Sequence, residues 1–87
     1  LLEVKLAKNT KFWNGLKVQL PQYMKIDSCK KGIFLVIVYS DKDIKRINDI
    51  QEINRDVCQY HNVDIKIVVV DARISNKESA SKNKNIN

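Results

Sequence analysis

Residues Ile33-Phe34-Leu35-Val36-Ile37-Val38-Tyr39 form an unbroken apolar run, rich in β-branched side chains, between a Lys30-Lys31-Gly32 turn signal and Ser40-Asp41. A run of this length and composition reads as a β-strand. The lack of polar alternation predicts a central strand covered on both faces, as in a parallel sheet. It falls well short of the ~18 apolar residues needed to cross a bilayer, so no membrane span is expected.

Two more strands are expected at Leu1–Ala7 and Val63–Asp71. Between the first two, Phe12, Leu16, Leu20, Tyr23 and Met24 recur at helical spacing from Lys11 to about Ser28. Gly15 and Pro21 interrupt that pattern, which predicts a kink near Val18–Leu20. Ser40-Asp41-Lys42-Asp43 is a helix start in which the Ser40 hydroxyl can accept from the backbone three residues on. One helix is expected from there to His61-Asn62, burying Ile44, Ile47, Ile50, Ile53 and Val57 and exposing Lys45, Arg46, Asp49, Glu52, Arg55 and Asp56.

Strand, helix, strand, helix, strand implies right-handed crossovers and a mainly parallel sheet with helices packed on it. The expected fold class is α/β. At 87 residues the chain permits one small domain, placed at residues 1–74. Its opening on Leu1, inside a strand-like run, reads as part of a longer polypeptide. Residues 75–87 change abruptly to Ser, Asn and Lys and are expected to be a disordered basic tail.

The net charge of +6 is unevenly placed. Residues 1–31 carry seven lysines and two acids (+5), residues 32–74 carry six cations and seven acids (−1), and the tail carries three lysines and one acid (+2). Such a basic segment suits a polyanionic partner. Cys29 and Cys58 lack C-x-x-C spacing, and no secretory apolar segment is present, so reduced thiols and a cytoplasmic location are expected. No Gly-rich phosphate loop, zinc spacing or Ser/His/Asp constellation occurs.

The chemistry-bearing feature is Glu3-Val4-Lys5 on the first strand. Side chains alternate across a strand, so Glu3 and Lys5 share one face, with Leu2, Val4 and Leu6 expected to pack on the other. A carboxylate that can hold Mg²⁺ beside an ammonium that can stabilise charge at a phosphate is what a metal-dependent phosphodiesterase requires. Gln19 and Tyr23 follow on the next helix, one turn apart and on one face. Glu3-x-Lys5 on a strand, the Lys8-Asn9 turn, Gly15-Leu16, Gln19-x-x-x-Tyr23 and the strand Gly32–Ile37 together resemble the second half of the PD-(D/E)XK, restriction-endonuclease-like nuclease superfamily, in its RecB-type branch.

What the resemblance implies is a DNA-hydrolysing, Mg²⁺- or Mn²⁺-dependent nuclease. It assigns Glu3 as a metal ligand with the Val4 carbonyl as a backbone ligand, Lys5 as the catalytic lysine, and Gln19 and Tyr23 as contacts to DNA or supports for the site. Lys8, Lys11, Lys17 and Lys25 would position the phosphate backbone. The family's second acid, an Asp on a preceding strand, is not among these residues. It is expected from the remainder of the parent chain or from a partner chain, a homodimer included, and the chain by itself is expected to be inactive. The alternative is a non-catalytic nucleic-acid-binding or assembly module of the same fold. Ordinary packing also explains Tyr23, and Trp13 beside Phe12 reads as core rather than a base-stacking ring. His61 suits a helix end. Asp41 and Asp43 suit a helix start, while Asp41 with Asp71 at strand ends also permits a small acidic, receiver-like or Toprim-like site.

Overall fold

In the computed structural model, whose described residues are 1–74, the three apolar runs become strands β1 (Leu2–Leu6), β2 (Lys31–Val38) and β3 (Asp64–Asp71). The tail expected at 75–87 lies outside the described residues. The strands form one parallel sheet in the order β1-β2-β3, with Glu3 opposite Phe34, Lys5 opposite Val36, and Phe34 opposite Ile67. The chain is α/β, and β2 is central.

The segment between β1 and β2 runs through α1 (Phe12–Asn14), a π-helical turn at Gly15–Gln19 and α2 (Leu20–Ile26). Within it the Leu20 N–H donates to the Gly15 carbonyl, one residue further back than in an α-helix. Pro21 offers no N–H, and its ring crowds the carbonyl four residues before it, which favours a wider ladder just ahead of it. It then sits in the first turn of α2, where a missing donor costs nothing. The expected kink is therefore a wide turn that starts at Gly15.

The single helix expected after Ser40 is instead two, α3 (Asp41–Arg46) and α4 (Ile50–His61). Asn48 and Asp49 favour turns because their side chains compete for backbone partners. The break lets Ile47 turn inward to 5% exposure. The Ser40 cap forms as expected, its Oγ accepting the Asp43 N–H at 3.2 Å, while Asp43 Oδ2 accepts the Tyr39 N–H at 2.9 Å. At the far end Asn62 closes α4 in the left-handed conformation, φ 54°.

Helical segments from both crossovers pack on one side of the sheet. Phe12, Leu16, Leu20, Met24, Phe34, Val36, Val38, Ile47, Ile50, Val57 and Ile65 form the core there, with the Phe12 and Phe34 rings 5.4 Å apart. Asn54 is buried within it and donates from Nδ2 to the Ile65 carbonyl at 2.8 Å. Trp13 is half-buried against the same cluster, as its core reading expects.

The opposite face contradicts the expectation of cover on both sides. By register it carries Leu2, Val4 and Leu6 of β1, Ile33, Leu35 and Ile37 of β2, and Lys66, Val68 and Val70 of β3. Leu2 is 57% exposed, Val4 49%, Val70 41% and Ile33 40%. An uncovered apolar face is unusual for a parallel sheet.

Candidate functional site

Glu3 and Lys5 do share a face of β1, and it is the face turned toward the helices. The expected arrangement is thus reversed in burial: Leu2 and Val4 stand in solvent, while Glu3 and Lys5 are 21% and 18% exposed as side chains. Lys5 Nζ lies 3.6 Å from Glu3 Oε2. Being on the sheet edge, both long side chains can cover apolar neighbours with their stems and keep their charged ends toward the rim.

Gly15 makes room for this. A Cβ at Gly15 would stand 2.9 Å from Lys5 Cε, so a side chain there would push the lysine stem aside where it crosses the helix. The backbone of Gly15 is ordinary helix, φ −59°, so clearance rather than conformational freedom explains the glycine. The helical segment returns antiparallel to β1, because β1 and β2 are parallel. Gln19, one turn past Gly15, is partly buried, whereas Tyr23, a further turn on, is 47% exposed.

The backbone of β1 adds a second element. Ile33 N–H donates to the Leu1 carbonyl and Ala7 N–H donates to the Ile37 carbonyl, so odd-numbered residues of this strand face β2. By alternation the N–H and C=O of Val4 project from the outer edge. That edge pairs with no strand among the described residues. Glu3, the Val4 carbonyl and Lys5 thus gather at one rim of the sheet.

The lysines assigned to the phosphate backbone do not form one surface. Lys8 extends over the Tyr39 ring, 5.9 Å from its centroid, at the carboxyl end of the sheet, and Lys11 is exposed just before α1. Lys17 and Lys25 line a cleft beside α2 instead, and Lys17 also lies 5.7 Å from the Trp13 ring centroid.

At the carboxyl ends of β2 and β3, Arg73 occupies the position between the acids considered above. It donates to Asp41 Oδ1 at 2.8 Å and to Asp71 Oδ2 at 2.7 Å. Those bonds, to Asp71 foremost and then Asp41, raise the guanidinium pKa above its ordinary value. Asp43 serves the helix start. Arg73 is absent from the sequence reading; the signal for it is a cation two residues past an Asp that ends a strand. His61 lies in the last turn of α4, as its helix-end reading expects.

Among the described residues no three His, Cys, Asp or Glu side chains converge as a metal cage, Cys29 and Cys58 are free thiols, and no helix is long and apolar enough to cross a membrane. A family model described as a domain of unknown function, DUF8371, matches residues 1–41. The matched span contains β1, the helical segment with Gly15 and Gln19, and β2. No curated protein and no solved structure matches the chain.

Proposed function

We propose that this chain supplies the Glu-x-Lys half of a Mg²⁺-dependent nuclease site of the restriction-endonuclease-like kind, acting on DNA phosphodiester bonds. The observation that carries the reading is the Glu3–Lys5 pair, 3.6 Å apart on a sheet edge that pairs with no strand among the described residues, with the Val4 carbonyl beside it. The donor set, a carboxylate and a backbone carbonyl, is all oxygen and suits a hard cation that keeps several waters. It is half of a site. A second carboxylate, carried by a strand paired along the outer edge of β1, completes it, whether from the remainder of the polypeptide or from a partner chain. The same strand would satisfy the open edge of β1.

Bound Mg²⁺ supplies charge neutralisation at the phosphate and a polarised water. In hydrolysis the water oxygen bonds to phosphorus while a phosphorus–sugar oxygen bond breaks, and the proton ends on the leaving alkoxide. Lys5 stabilises the negative charge that builds on the phosphoryl oxygens, Glu3 holds the cation, and Gln19 orients the strand or the ammonium. Pairing with Glu3 at 3.6 Å holds the Lys5 side chain at the rim.

Cleavage of end-labelled DNA by the full-length polypeptide tests this. Glu3→Gln and Lys5→Ala should each lower the Mg²⁺-dependent rate by about 100-fold or more, in line with loss of a charged group acting on the transition state, with circular dichroism unchanged. Activity that survives both substitutions would place the chemistry elsewhere. A full-length protein that binds DNA and never cuts it would favour the non-catalytic module.

A further inference from the structure

A second concave site lies between α2, the Ser28–Lys30 loop that leads into β2, and the last turn of α4. Its volume is about 930 Å³, within the range of pockets that accept nucleotide-sized ligands. Lys17, Lys25, Lys30 and His61 line it, and no Asp or Glu is among the lining residues. The carboxyl ends of α2 and α4 point the same way, each equivalent to roughly half a negative charge. Three ammonium groups outweigh them. Lys30 Nζ in addition lies 3.5 Å from the Asn62 carbonyl, which ties one cation to the end of α4.

The cleft also presents an aromatic ring that the fold does not use. Tyr60 is 85% exposed and lies edge-to-face on His61 with centroids 4.9 Å apart. A largely solvated ring beside a row of cations has the two elements with which single-stranded nucleic acids are bound: charge that follows the backbone and a platform for an unpaired base. A duplex keeps its base faces stacked inside and gives the ring nothing to meet.

We propose that this cleft binds a single-stranded nucleic acid, with Lys17, Lys25 and Lys30 on successive phosphates and a base stacked on Tyr60. The proposal does not depend on hydrolysis at Glu3 and Lys5, and its test omits divalent metal for that reason. Fluorescence anisotropy of the full chain with labelled oligo-dT and oligo-rU of about fifteen nucleotides, in EDTA, reads it directly. Three phosphate contacts predict a slope of about −2 in log K against log salt. Lys17→Gln/Lys25→Gln/Lys30→Gln should weaken binding more than tenfold and remove most of that slope. Tyr60→Ala should weaken it at least fivefold and leave the slope in place. Lys42→Gln/Lys45→Gln/Lys66→Gln, the same charge change at exposed positions outside the cleft, should stay within twofold of the parent. Either homopolymer bound through the cleft supports the proposal, and the difference between them identifies the preferred sugar. Equal losses in the two triple variants, or a duplex bound as tightly as a single strand, would overturn it.

Discussion

Gly15 sets how closely the helix can approach Lys5, and so where the ammonium lies. Adding a Cβ at 2.9 Å from Lys5 Cε forces the lysine stem aside, although alanine would favour the helix by about 1 kcal/mol. Gly15→Ala should therefore leave the urea midpoint unchanged or slightly raised, while any cleavage by the full-length polypeptide falls with Lys5 displaced. Loss of stability with activity intact would show that the contact is packing alone. The shared face of Glu3 and Lys5 was legible from strand alternation. Which face the helices would cover was not, because β2 is apolar on both sides and offers no preference. The choice rests on details such as Gly32, where a Cβ would come within 2.9 Å of Met24 Sδ, and Lys66, which lies on the open face. Gly32 is invisible to a periodicity argument, whereas Asp64 and Lys66 alternate with Ile65 and Ile67 in the sequence and mark the polar side of β3.

The elements were easier to read than their joints. Three strands and their order along the chain follow from apolar runs, and the Ser40 cap from a side chain that can accept three residues ahead. Ser40→Ala should cost about 1 kcal/mol, read as a lower urea midpoint with an unchanged slope, since it strips the Asp43 N–H of its 3.2 Å partner and loosens the start of α3. The π turn at Gly15–Gln19 and the break between α3 and α4 were not legible as such. Each depends on where a helix must rotate to keep its apolar side on the sheet. Pro21 signals that a change of ladder is needed but not its form. Likewise Asn48-Asp49 weakens a helix without deciding that it breaks there, although helical spacing does put Ile47 in the core.

For the whole molecule, the sheet divides the chain into a packed side and an open side. Leu2, Val4, Ile33 and Val70 give the open side a contiguous apolar patch of the kind that marks an interaction surface. The outer edge of β1, which pairs with no strand among the described residues, lies next to it. Glu3 and Lys5 stand on the packed side of that edge strand with the Val4 backbone on the edge itself, which is why the site reads as half of a larger one. Charge is partitioned in the same way. Cations of the helical segment gather at the α2–α4 cleft, whereas the acids Asp41 and Asp71 share Arg73 at the other end of the sheet. The central claim is that Glu3 and the Val4 carbonyl hold a divalent cation at that rim. Titrating the ¹⁵N-labelled chain with Mn²⁺ and following paramagnetic broadening of its amide resonances tests it without requiring a complete active site. The account predicts broadening centred on Glu3, Val4 and Lys5, extending to Gln19 and lost in Glu3→Gln. Broadening centred instead on Asp41 and Asp71, or none near β1 at any Mn²⁺ concentration, would contradict it.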